Sequence, residues 1–147
     1  MCTLLALAAT CSVRNPQNLT VQTRANALVL SLHQSPLRVR GRRAPGLSAQ
    51  LLRSVSSIPW NIAEGAAQDD RGFVRHLTIA IASANEAEQQ IQLAHALELL
   101  GAHGDWHLTE IVEIRRMLIG LQKAVLRKGQ AEPTGGMRKR RSEEEEE

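Results

Sequence analysis

The chain has 147 residues, 43% of them apolar and 22% charged, and a formal net charge of +3, which is material for the core of one domain. No stretch approaches the ~20 apolar residues of a membrane span, and the only cysteines, Cys2 and Cys11, make neither a disulfide framework nor a zinc site and fit a reduced, cytoplasmic setting. With Trp60, Phe73 and Trp106 as the only aromatic residues, the core has to be filled by Leu, Ile, Val and Ala, which suits close-packed helices better than a sheet.

Residues 1–18 open with MCTLLALAATCSV. The apolar run Leu4–Ala9 is short for an export signal and has no basic residue ahead of it, so a flexible leader is expected. A first helix is expected over about Leu19–His33, where Val21, Ala25, Leu28 and Leu32 step by four, three and four along one face. Pro36 ends it, and residues 36–46, with two prolines, two glycines and four arginines, read as a loop.

The second helix is expected over about Leu47–Ala66, on the stripe Leu47, Leu51, Val55, Ile58 and Ile62. Pro59 within it leaves the carbonyl of Val55 without a donor, which predicts a kink, or two short helices broken there. The third is the longest, from Asp70 to about Leu100. Phe73, Leu77, Ala80, Ala84, Ala87, Ile91 and Ala94 alternate steps of four and three, the seam of an antiparallel bundle, and its alanines let a neighbour approach closely. Val74 and Ile81 add a second apolar line, either a wide core stripe or a surface buried against another copy. Gly101 is placed to cap this helix in the left-handed conformation. The fourth helix starts near Asp105 as N-cap, carries Leu108, Ile111, Ile114, Leu118, Leu121 and Val125 inward, and ends near Arg127 and Lys128. From residue 129 on, RKRR followed by five glutamates cannot bury apolar surface, and a disordered charged tail is expected. The fold class is therefore all-α: an antiparallel up-and-down four-helix bundle over residues 19–128, between leader and tail.

Charge is unevenly spread. No acid precedes Glu64, while Arg14, Arg24, Arg38, Arg40, Arg42, Arg43 and Arg53 do. The front segment thus carries +7, residues 64–131 carry −2 and the remainder −2. Such a basic front attracts phosphates or an acidic partner, or it is merely a solvated face.

The segment from Ser57 to Gly65, SIPWNIAEG, resembles the signature of the four-helix-bundle family of 23S rRNA intervening-sequence proteins: serine–isoleucine–proline, then asparagine, then alanine–glutamate–glycine. FVRHLTIAIASANEAEQQIQLA from Phe73 and IRRMLIGLQKAV from Ile114 are similar to the same family, so the resemblance spans roughly residues 19–128. It implies a four-helix protomer that assembles as a ring-shaped homo-oligomer, often a homopentamer. It also implies a link to rRNA insertions. Through related accessory proteins of diversity-generating retroelements, it implies binding of nucleic acid and of a reverse transcriptase. This chain departs from the pattern at Trp60, where a small residue is usual, and in its first helix, which lacks the usual tyrosine and tryptophan.

Within the motif, Ser57, Ile58, Pro59, Asn61, Ala63, Glu64 and Gly65 are expected to be structural. Asn61, Glu64 and Gln68 share one side of the second helix, more in keeping with an interhelical hydrogen-bond set than a ligand site, and Gly65 allows a close backbone approach or a helix end. The candidate phosphate contacts are Arg38, Arg40, Arg42, Arg43 and Arg53, with a second stripe of Arg116, Lys123 and Arg127 on the fourth helix. Because aromatic residues are scarce, no stacking surface is expected, so binding would be backbone-directed and steeply salt-dependent. His103 and His107 lack a third ligand for a metal, and His33, His76 and His95 look isolated. No phosphate-cradling glycine loop or nucleophile elbow occurs. The expectation is a non-catalytic, oligomeric nucleic-acid scaffold without cofactor, metal or membrane contact. The alternative is a protein–protein adaptor whose arginines meet an acidic partner, and an enzyme ranks third.

Overall fold

A computed structural model describes residues 16–37 and 41–131 of the chain. Four long helices account for most of them: α1, Pro16–Gln34; α2, Pro45–Ala66; α3, Asp70–Ala96; and α4, Gly104–Ala131. Short 3-10 turns, Gly41–Arg43 and Gly101–His103, precede α2 and α4. There is no strand among the described residues, and none of these helices is long and apolar enough to cross a membrane. Residues 16–18 and 129–131 continue α1 and α4; the rest of the expected leader and charged tail lies outside the described residues.

Side-chain bridges between helices fix their directions. Ser54, Ser57 and Asn61 of α2 meet Gln90, Ser83 and His76 of α3, so the two run antiparallel. Arg115 and Gln122 of α4 reach Glu88 and Thr78 of α3, and Ser31 and Arg24 of α1 reach His107 and Glu110 of α4. Each helix packs on two neighbours, so α1 and α3 stand at one pair of opposite corners and α2 and α4 at the other.

The apolar stripes meet in the middle. Val21, Ala25, Leu28 and Leu32, then Leu51, Val55, Ile58 and Ile62, then all seven seam residues of α3, then Ile111, Ile114, Leu118 and Leu121 are buried. Leu47, Ile81, Leu108 and Val125 are half-buried and pack on the rim, which favours the wide core stripe for the line through Ile81. Each fully buried Leu or Ile contributes roughly 1.5–3 kcal/mol, and the alanines of α3 keep its neighbours close.

The helix ends differ from expectation in instructive ways. Pro59 does not break α2, which continues as a helix through it to Ala66 with Pro59 buried. Pro45 occupies the first turn of α2, where its missing N–H costs nothing. Asp69 caps α3, its Oδ1 accepting from the Gly72 N–H at 2.8 Å. At the other end α3 stops at Ala96 rather than Leu100. Glu98, not Gly101, takes the left-handed conformation of the cap, with φ 58°. The Glu98 N–H donates to His95 O at 2.9 Å and the Leu99 N–H to Ala94 O at 2.9 Å, the paired bonds of a Schellman motif. That turn drives Leu99 and Leu100 back into the core. Gly101, with φ 66° and Pro36 packed against it, belongs to the connection into α4. Asp105 falls inside the first turn of α4 and lies 3.2 Å from His95 Nε2.

Candidate nucleic-acid interface

The signature segment is folded into the α2–α3 contact. Ile58, Pro59 and Ile62 are buried in α2. Ser83 Oγ donates to Ser57 Oγ at 2.9 Å, and Asn61 Nδ2 donates to Ser57 O at 2.8 Å. His76 Nδ1 lies 3.2 Å from Asn61 Oδ1 and 3.7 Å from Glu64 Oε2. A Cβ added at Gly65 would stand 2.7 Å from His76 Cβ and 2.8 Å from Phe73 Cδ2, so only glycine admits the crossing at this depth. Ser57, Asn61, Glu64 and Gly65 thus set the register of α2 on α3. Ala63 and Gln68 are exposed.

Two polar pairs, each with one buried member, Glu110 and His107, close the other side of the bundle. Arg24 of α1 grips Glu110 of α4 bidentately, Nε to Oε1 at 2.7 Å and Nη2 to Oε2 at 2.8 Å. This contact holds the guanidinium pKa above its ordinary value. His107 is fully buried; its Nε2 lies 3.0 Å from Ser31 Oγ, and its Nδ1 has no hydrogen-bond partner. Burial, and secondarily the charge of His103, push its pKa down, so the imidazole is neutral in the core. Among the described residues no three His, Cys, Asp or Glu side chains could hold a metal ion together.

The expected phosphate contacts divide into two groups. Arg38 and Arg40 lie outside the described residues. Arg42 and Arg43 lie on the turn before α2, and Arg53 is on α2 itself. Arg116, Lys123 and Arg127 follow the outer side of α4; Arg116 is paired with Glu113 at 2.6 Å, and Arg127 Nε donates to Lys123 O at 3.3 Å. Because α2 and α4 occupy opposite corners, the groups are separate surfaces. Arg115 differs from its neighbour Arg116: it turns toward Asn85 and Glu88 and knits α3 to α4.

Sequence reasoning passed over Arg71 and Arg75, exposed in the first turns of α3. They lie at the end of the bundle where α4 finishes, and their four-residue spacing was the available signal. It also passed over the placement of the aromatic residues. Trp60 is 68% exposed and Trp106 42%, so the surface does carry aromatic rings, contrary to expectation; only Phe73 is in the core.

A family model described as 23S rRNA-intervening sequence protein matches residues 17–120. Among solved structures, a protein of unknown function from the S23 ribosomal protein family of Bacteroides thetaiotaomicron is similar at 26% sequence identity and a TM-score of 0.65. That alignment covers 73% of this chain and 98% of the other. No curated protein matches. With the signature residues occupying the α2–α3 crossing and the match spanning all of α2 and α3, the chain belongs to the 23S rRNA-intervening sequence protein family.

Proposed function

We propose that this protein is a non-catalytic, oligomeric helical-bundle scaffold that holds RNA or DNA by the phosphate backbone. The observation that supports it is a set of cations, Arg42, Arg43, Arg53, Lys123 and Arg127, that meet no carboxylate among the described residues. Guanidinium and ammonium groups that meet no carboxylate are available to phosphate oxygens. The family's description, which refers to 23S rRNA, points the same way.

Assembly belongs to the proposal for a physical reason. With the two basic groups on opposite corners, one strand reaches both only by bending around a protomer or by passing from copy to copy. A ring of copies, five by the family resemblance, repeats each group around an axis, and individually weak phosphate contacts then act together.

The test is retardation of labelled RNA and DNA by the full chain at low ionic strength, with the mass of the free protein measured in parallel. Binding by a species larger than one protomer is expected; no binding to either polymer at low salt would overturn the proposal. A second reading, a protein–protein adaptor, is favoured by Leu93 and Leu97, which stand 51% and 50% exposed at the end of α3. Recovery of one stoichiometric protein without nucleic acid would support that reading instead.

A further inference from the structure

The outer face of α2 combines features that the sequence kept apart. Trp60 projects from it at 68% exposure, the largest exposure of any bulky apolar side chain among the described residues. Arg53 stands seven positions earlier, so the two share one line on the helix, about 10 Å apart along its axis. Between Pro45 and Ala63 Arg53 is the only charged residue, and Arg42 and Arg43 precede that stretch. The nearest carboxylate on the helix, Glu64, follows Trp60 by one turn; its side chain is 69% exposed and lies 3.7 Å from His76 Nδ1 of α3. One turn before Trp60 stand the small residues Ser56 and Ser57, and one turn after it Ala63 and Glu64.

From this arrangement we infer that Trp60 and Arg53 form a single-strand binding site, in which Trp60 stacks on a nucleobase and Arg53 holds a phosphate of the same strand. The inference rests on the backbone-binding proposal above and adds the class of ligand to it. Charge selects the occupant: a stretch from Pro45 to Ala63 whose one charge is the guanidinium of Arg53 suits a polyanion, and an indole matches the base that a single strand exposes and a duplex hides. The separation of about 10 Å corresponds to roughly three stacked nucleotides at ~3.4 Å each. Stacking of this kind is tolerant of base identity, so little sequence preference follows.

The test uses the full-length chain with labelled oligo-U and oligo-dT of about 15 nucleotides and a duplex of equal length, read by fluorescence anisotropy. Trp60→Ala is expected to weaken single-strand binding by roughly 5- to 150-fold with a smaller effect on the duplex, and Trp60→Phe to recover much of the loss. Thermal unfolding and oligomeric mass should be unchanged in both. Arg53→Ala should weaken binding and make the salt dependence shallower by about 0.7 in log–log slope. In Trp106→Phe protein, where Trp60 is the only indole, adding the single strand should quench the fluorescence. If wild type binds and Trp60→Ala binds equally well, the stacking site is overturned while backbone binding stands. If Trp60→Ala instead changes the oligomeric mass, Trp60 belongs to a contact between copies and the site is likewise overturned. If wild type binds no polymer at low salt, the backbone-binding proposal fails and this inference with it.

Discussion

Replacing Gly65 and Gly120 by alanine is one chemical change made at two helical positions, and it should move stability in opposite directions. Alanine exceeds glycine in helix propensity by about 1 kcal/mol. At Gly120, exposed in the middle of α4 with nothing within 4 Å of an added Cβ, that gain is realised, and Gly120→Ala should stabilise by up to about 1 kcal/mol. At Gly65 the new methyl would meet His76 Cβ at 2.7 Å and Phe73 Cδ2 at 2.8 Å. His76 Cβ is fixed to the α3 backbone, so no rotamer change relieves the clash. Restoring an ordinary carbon contact means moving α3 away by roughly 0.7 Å or more, which also stretches the 3.2 Å approach of Asn61 and His76. Overpacking of this kind costs about 1–3 kcal/mol, and Gly65 is the penultimate residue of α2, where propensity offsets only part of it. The net expectation for Gly65→Ala is a loss of about 1–2 kcal/mol. Urea unfolding followed by helical circular dichroism, at one fixed protein concentration because association shifts apparent stability, reads both variants. Stability equal to or above wild type for Gly65→Ala would refute the close crossing at the signature.

Two further predictions concern the buried polar groups. Arg24→Met leaves the Glu110 carboxylate, in a residue only 8% exposed, without its partner, whereas Glu110→Gln leaves Arg24, whose side chain is 37% exposed, free to find water. The arginine change should therefore destabilise more, by at least about 1 kcal/mol; equal losses in urea unfolding would argue that the pair is solvent-screened. His107 has a folded-state pKa below 6.5, so as pH falls through its unfolded value of about 6.5 the unfolded chain takes up a proton that the folded chain refuses. Its contribution is thus complete above about pH 6.5 and is lost progressively as the pH falls toward the folded pKa. His107→Leu should flatten that part of a stability-versus-pH profile, and an unchanged slope would place the acid sensitivity elsewhere.

Much of the architecture was legible because periodicity reports burial directly. The seven-residue seam of α3, with four alanines in it, could not be spread over a solvated face without losing its step of four and three, and all seven side chains are buried. Helix ends were harder. A left-handed cap is normally glycine, and Gly101 was available; Glu98 takes the position because Leu99 and Leu100 gain a place in the core when the chain turns there. Of the two expectations at Pro59, a break into two short helices is excluded: α2 runs on through it with the proline packed inside. The signature was recognisable as a string, and its polar members proved to be register contacts. The basic groups could be identified as clusters, but not the fact that α2 and α4 stand on opposite corners, which depends on packing order. Trp60 was counted among scarce aromatics, and its exposure depends on which side of α2 faces out.

Binding to a labelled single strand, measured as a function of salt, tests the central claim most directly when wild type is compared with the triple variant Arg116→Ala, Lys123→Ala, Arg127→Ala. If the cations on the outer side of α4 hold phosphates, wild-type affinity falls steeply with salt. The log–log slope then becomes shallower by up to about 2 in the variant, at roughly 0.7 for each phosphate that is no longer neutralised. Affinity that does not respond to salt, or a slope the triple variant leaves unchanged, would contradict the account.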